Sequence, residues 1–366
     1  MISRFEIRNC HCEDLRSRSV AISFLHALLV GLLLASSAFA GVVDKKAALG
    51  GFDGFVERMG AGARELGRGN TGSADTASMP GAYWNPAILG FRQNFNYTLN
   101  AERRSLDRMG GSLGLETPVG NRMGVGFAML YRGDINFDVI DDDDQTLGTA
   151  TPFFTMMYLG FSYRATRRDA FGISLSLGYD NMDVAEYYDG IEMVDGFTSP
   201  VAINLGWLRQ WNEKWSTSVV IRNISFGRNL SARWSRSPST DNSIASTEGV
   251  RPKVLQVGLG YRSKGLGKPV YAWMEALDYQ VADTLLVFDP QHHVWTGRVG
   301  FECEIIPDGT VRIGMDDLDA MIGLGYKFNI RIGKKRYLFD VNYALTYESS
   351  AGLWNPLSLG VRGFIP

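Results

Sequence analysis

"FGISLSLGYD", running from Phe171 to Asp180, decides the fold class. Phe171, Ile173, Leu175, Leu177 and Tyr179 alternate with Gly172, Ser174, Ser176, Gly178 and Asp180. A period of two puts alternate side chains on one face of a β-strand, so one face here is apolar and the other small or polar. The same pattern recurs in Met123, Val125, Phe127, Met129 and Tyr131 and in Ala320, Ile322, Leu324, Tyr326 and Phe328. It returns in Tyr337, Phe339, Val341, Tyr343, Leu345 and Tyr347. Between Phe91 and Ile365 such runs number about 14, each close to the length of a tilted membrane crossing.

The connections carry a second pattern. Tight turns are expected at Pro118 to Asn121, Thr166 to Asp169, Asn212 to Lys214, Lys264 to Lys268, Pro307 to Gly309 and Gly333 to Arg336. Between them lie other links, the long polar ones being Asp134 to Thr151, Asn181 to Thr198, Gly227 to Arg251 and Val281 to His293. An up-and-down barrel with both ends on the inner side of its membrane alternates its links in this way. Within hydrocarbon an open sheet edge leaves backbone groups without partners, so strands cross only as a closed ring. The expectation is an all-β, closed antiparallel transmembrane β-barrel. Tyr131, Tyr179, Trp207, Trp215 and Tyr347 stand where interfacial aromatic girdles belong. The competing fold is a soluble exported sandwich or propeller with the apolar faces turned inward.

The N-terminus reads as an export signal: Arg4, Arg8, Arg16 and Arg18 precede an uncharged run from Ser19 to Val43, and Ala38-Phe39-Ala40 supplies the small residues of a cleavage site. An uncleaved anchor helix is the alternative. The expected division is a cleaved signal at 1–40, an inner segment at 41–90 and a barrel at 91–366. Cys10-His11-Cys12 would leave with the signal, so Cys303 remains as the one cysteine and no intramolecular disulfide forms. With 37 basic and 39 acidic side chains the chain offers nothing to nucleic acid.

Ahead of the first strand the composition changes. Gly60, Gly62, Gly67, Gly69 and Gly72 permit sharp backbone paths, Tyr83 and Trp84 are bulky anchors, and Pro86 ends any helix and holds Asn85 extended. Such a segment suits a plug folded into the barrel or across its mouth. "GAGARELGRGNTGSADTASMPGAYWNPAILG", Gly60 to Gly90, resembles the N-terminal signature of the FadL-like outer-membrane proteins, and more closely that of the PorV/PorQ branch. The resemblance rests on Ala74-Asp75 and on Trp84-Asn85-Pro86-Ala87, and it extends to Tyr131 to Asp134 in the first hairpins. Thr76 departs from it, where relatives often carry a second acid.

The resemblance implies a 14-stranded barrel with an N-terminal plug in the outer membrane, in contact with its lipid. Its plug motif would comprise Gly69, Gly72, Asp75, Tyr83, Trp84, Asn85, Pro86 and Ala87. Fatty-acid-transporter members pass hydrophobic molecules sideways through the wall, whereas PorV-type members carry secreted proteins or serve secretion machinery. The sequence reading favours the PorV type, with the hydrophobic-molecule channel as alternative. Leu130, Val220 and Leu338 fall on the inward parity and suit either an apolar lining or packing against the plug.

Enzymatic readings are weaker. His292 and His293 stand near Asp283 and Asp289 in an expected loop, and a histidine pair there is more often solvated than tuned for catalysis. Asp141 to Asp144, like Asp316, Asp317 and Asp319, read as solvated loop charges rather than a cation site. No phosphate-cradling glycine loop lies between a strand and a helix. The expectation is a non-enzymatic protein with no cofactor and no metal.

Overall fold

The computed structural model describes residues 59–104, 108–133, 137–140, 146–184, 192–198, 201–224, 234–236, 253–265, 268–280, 293–317, 319–332, 335–348 and 353–365. The expected signal at 1–40, the start of the inner segment at 41–58, Asp141 to Asp144, Asp283, Asp289 and His292 lie outside the described residues.

The strands are Phe95–Arg103 (β1), Met109–Val119 (β2), Met123–Gly133 (β3), Phe137–Ile140 (β4), Thr146–Arg164 (β5), Asp169–Val184 (β6), Glu192–Thr198 (β7), Ala202–Gln210 (β8) and Trp215–Ile224 (β9). They continue with Trp234–Arg236 (β10), Lys253–Gly265 (β11), Lys268–Gln280 (β12), His293–Ile306 (β13), Gly309–Asp316 (β14), Asp319–Ile332 (β15), Lys335–Glu348 (β16) and Leu353–Ile365 (β17). Fourteen of these are staves of one antiparallel sheet; β4, β7 and β10 are short ribbons added at one end. β1 pairs with β2 on one side and with β17 on the other, and that pairing closes the sheet into a barrel.

Four of the six expected tight turns are described in full, and at the other two the flanking strands pair up to Gly265↔Lys268 and Ile332↔Lys335; all six links lie at one end, here called the turn end. The opposite, loop end corrects the sequence reading. The links 134–151 and 181–198 are partly strand, because β5 begins at Thr146, β6 runs on to Val184, and β4 and β7 pair with them. Strand pairing there continues past the apolar belt, where no alternation is needed to satisfy lipid, so the period-two signal lapses.

The outward parity holds. Phe171, Ile173, Leu175, Leu177 and Tyr179 are 37–53% exposed, while Ser174 and Ser176 are buried. A belt of exposed apolar side chains encircling a closed sheet is stable only in a nonpolar surrounding. Aromatic rings mark both edges of that belt: Tyr131, Phe153 and Tyr179 cluster toward the loop end, and Trp215 meets Tyr261 at 4.6 Å toward the turn end. Phe153 and Tyr163 lie ten residues apart on β5, about 33 Å of strand and about 25 Å of height at the usual tilt, which matches a membrane's apolar band.

The inside of the ring is occupied by residues 59–91. A one-turn helix Ala63–Leu66 (α1), a second at Gly81–Trp84 (α2) and a 3-10 helix at Pro86–Phe91 are its regular parts. Asn85 breaks the path between the last two with an extended backbone, and its side chain accepts from the Ala87 N–H to cap the 3-10 turn that Pro86 opens. That turn takes up Phe91, so the first stave begins at Phe95 rather than at Phe91.

The small inward face of the wall now has a cause. A Cβ at Gly124, Gly172, Gly206, Gly300 or Gly314 would fall between 1.9 and 2.3 Å from Leu89, Pro86, Asn85, Arg68 and Gly69 respectively. At Gly124, Gly172, Gly300 and Gly314 the segment's backbone touches the backbone of the stave, and at Gly206 the Asn85 side chain does, approaches only glycine permits. Gly314→Val should lower the thermal midpoint of the purified barrel, an overpacking cost of about 1–3 kcal/mol or more. Gly120→Asn, at a turn glycine with φ 65° and open space around it, should leave the midpoint unchanged.

Candidate functional site

The candidate site is the contact between this inner segment and the wall. All eight residues expected to form the plug motif lie within it. Gly69 combines a φ of 74° with a would-be Cβ at 2.2 Å from the Val299 carbonyl oxygen, so it is glycine on two counts. At Gly72 a Cβ would enter the Trp84 ring at 2.4 Å. Trp84 is fully buried and donates its indole N–H to Ala61 O at 3.1 Å. Tyr83 packs edge-on to Trp84 and to Tyr158 of β5, with ring centroids 4.9 and 5.6 Å apart. Asn85 Nδ2 donates to Ser73 O at 3.0 Å and to Trp207 O of β8 at 3.2 Å, tying segment to wall. Pro86 sits on Gly172, and the Ala87 carbonyl accepts from Ser162 Oγ at 3.2 Å.

Asp75 is the centre of the polar contacts. Its Oδ2 accepts from Arg64 at 2.8 Å and from Arg68 at 2.7 Å, and its Oδ1 accepts from the Ala77 N–H at 2.9 Å. Arg64 also forms a bidentate pair with Glu302 of β13, at 2.9 and 3.1 Å. Glu302 in turn accepts from Arg312 of β14 at 2.6 Å. Arg68 completes its fork with Thr71 O and Ser78 Oγ. Every member is buried, so each charge needs its partner in place of water.

Burial alone would raise the Asp75 carboxyl, but the Arg64 and Arg68 guanidinium groups outweigh it and hold it well below the usual carboxylate range. Burial likewise pulls at Arg64, and there Glu302, Asp75 and Glu65 prevail and hold it above its ordinary value. For Arg68, burial, with repulsion from Arg64, wins and lowers it.

The wall side of these contacts escaped the sequence reading. Arg222 of β9 donates to the Tyr83 carbonyl, to Trp84 O at 2.7 Å and to Gln256 Oε1 at 3.1 Å, with its guanidinium 5.1 Å over the Tyr83 ring. Glu116 of β2 accepts from the Gly81 N–H and from Arg92, which also donates to Thr76 O and Ser78 O. The available signal was a charge in mid-strand on the inward parity, as at Glu302 between Phe301 and Cys303.

Asp316 and Asp317 are a correction. Asp316 accepts from Asn70 of the segment at 2.8 Å and from Arg298 at 2.9 Å, and Asp317 Oδ1 accepts from the Gly297 N–H at 3.0 Å. Asp317 is buried and Asp316 half-buried, and both meet donors that the ring brings against them, so neither is a freely solvated loop charge.

One sector of the interior is apolar. Leu130 of β3, Phe154, Met156 and Tyr158 of β5 and Leu208 of β8 pack with Tyr83, Trp84, Ile88 and Leu89 into one buried cluster. Leu130 therefore packs against the inner segment; Val220 is buried, and Leu338 is only half-buried. Beside this sector the wall ladder breaks. Between β8 and β9 the register slips from Ile203↔Ile224 to Leu205↔Ile221, Asn223 adopts φ 60°, and its N–H is held by Asn204 Oδ1 at 3.0 Å instead of a backbone carbonyl. Tyr158 pairs in register with Ser176 and Ser176 with Ala202, the neighbour of Ile203, so the ladder leads directly from the cluster to the break.

Fold and site together define a closed 14-stave β-barrel with an apolar belt and a lumen filled by its own N-terminal segment. No protein-family model matches the chain, and no curated protein matches it. Its fold is similar to the Pseudomonas putida toluene transporter TodX, at 13% identity and a TM-score of 0.51, over 83% of this chain and 96% of that one. It is similar to the Ralstonia pickettii toluene transporter TbuX, at 12% identity and a TM-score of 0.54, over 84% and 98%. The monoaromatic hydrocarbon channel CymD matches at 12% identity and a TM-score of 0.52, over 84% and 97%. At these identities the likeness is one of fold, and it is the barrel that the FadL-like resemblance implies. None of these comparisons supports the narrower PorV/PorQ affiliation.

Asp75→Asn should strip both arginines of their shared partner, a loss of about 3–5 kcal/mol, read as lost hydrogen-exchange protection over residues 60–80. Because the Asp75 carboxyl lies below its unfolded value, the stability it lends is present above that value and disappears as pH falls through the depressed one. Protection should therefore persist at pH 4 and fall only in stronger acid.

Proposed function

We propose that the protein is a non-enzymatic outer-membrane channel for hydrophobic small molecules, within the FadL-like superfamily. The observation that carries this reading is the buried apolar sector adjoining the broken ladder between β8 and β9. A hydrophobic molecule moving between lumen and membrane needs an apolar path and a place where the wall lacks backbone hydrogen bonds, and this sector supplies both. The similar folds of two toluene transporters and a hydrocarbon channel add support. In this reading the six tight turns face the periplasm, the segment ahead of β1 is a plug, and the exported chain meets outer-membrane lipid with its apolar belt.

The secreted-cargo reading gains no comparable support. Its sequence basis was the N-terminal motif, with Ala74-Asp75 and Trp84 to Ala87, together with the long polar links, and the motif side chains of Asp75 and Asn85 are spent on internal contacts. What remains for it is the long links, most of which lie outside the described residues.

Deletion of Asn223 removes the extra residue and should restore a continuous ladder. In cells lacking other hydrocarbon channels, expression of the unaltered chain should raise uptake of radiolabelled toluene or a long-chain alkane. The deletion variant should fold to the same level and lose at least about tenfold of that uptake. Equal uptake with and without the protein removes the channel reading.

A further inference from the structure

At the turn end, between the inner segment and staves β8, β9 and β11, lies a cavity of about 700 Å³. Its charged lining is Asp75, Arg167, Arg168, Glu213, Lys214 and Arg262. Asp75 is already held by Arg64 and Arg68, which leaves Glu213 as the one acid set against four cations on the lining. The side chains of Arg167, Arg168 and Lys214 make no ion pair or hydrogen bond among the described residues. They come from two successive tight turns, and Arg262 from β11 a few residues ahead of a third, so the topology gathers them around one mouth. Thr76 also lines the cavity, and its neutral hydroxyl leaves the positive charge uncancelled.

We infer that this mouth is an oxyanion site of the phosphate class, reached from the turn side. Guanidinium forks match phosphate oxygens two at a time, and Lys214 adds a point charge on the same lining. The cavity has the volume of a small-molecule site, and its rim carries Trp215 of the aromatic girdle, so the phosphate belongs either to a soluble molecule or to a lipid headgroup leaning over that rim. The site does not depend on the channel reading, because its test reads binding rather than uptake.

The test uses the full chain, purified in detergent without phosphate, titrated calorimetrically with inorganic phosphate and separately with short-chain phosphatidic acid. Saturable binding that falls about tenfold or more in Arg167→Gln/Arg168→Gln/Lys214→Gln, but not in Arg122→Gln on a turn outside the lining, is the expected result. Binding of phosphate itself identifies a soluble source, and binding of phosphatidic acid alone identifies a headgroup. If the triple variant fails to fold, Lys214→Gln alone should weaken binding by about two- to threefold. Absence of saturable binding by both probes, or undiminished binding in whichever of these variants folds, overturns the site.

Discussion

Nine residue pairs between β1 and β17, from Phe95↔Ile365 to Arg103↔Leu357, close the sheet on itself. Everything else follows from that closure. A ring has no free edge, so its backbone groups are satisfied without water and its outer face can be given over to apolar side chains. The inner face is then cut off from lipid and from most solvent, and whatever fills it must supply partners for each polar group it covers. Here the filling is the chain's own N-terminal segment.

The manner of filling explains both the glycines and the charges. A backbone that lies directly on a wall leaves no room for Cβ atoms, hence Gly124, Gly172, Gly300 and Gly314 facing it. A segment so placed also loses its water, so the arginines that orient it must be met by carboxylates. Asp75 does this from within the segment, and Glu302 does it from the wall. Removing one partner leaves a buried charge uncompensated, which is why these pairs specify a single seating even where their net contribution to stability is modest.

The fold was legible because alternation over lipid is obligatory: Phe171 to Tyr179 cannot face outward in any other register. The six turns were legible for a related reason, since a short hairpin needs glycine, asparagine or aspartate at its corner. The strand extensions beyond the belt were not, because outside hydrocarbon neither face is constrained. Within the site, Gly72, Asp75, Trp84 and Asn85 stood out by residue type. Glu302 and Arg64 are 238 positions apart, and nothing local in either one's neighbourhood names the other. Asp316 misled for the converse reason: an acid beside a turn looks solvated until the ring brings Asn70 and Arg298 against it.

The seating of the segment is the claim on which site and function both rest. Ser73 of the segment and Ser218 of β9 face each other with Oγ atoms 2.9 Å apart. In a chain whose native cysteines are replaced by serine, Ser73→Cys with Ser218→Cys should form one intramolecular disulfide in isolated membranes without added oxidant catalyst. Two free thiols that label independently from the aqueous side would show that the segment does not occupy the ring.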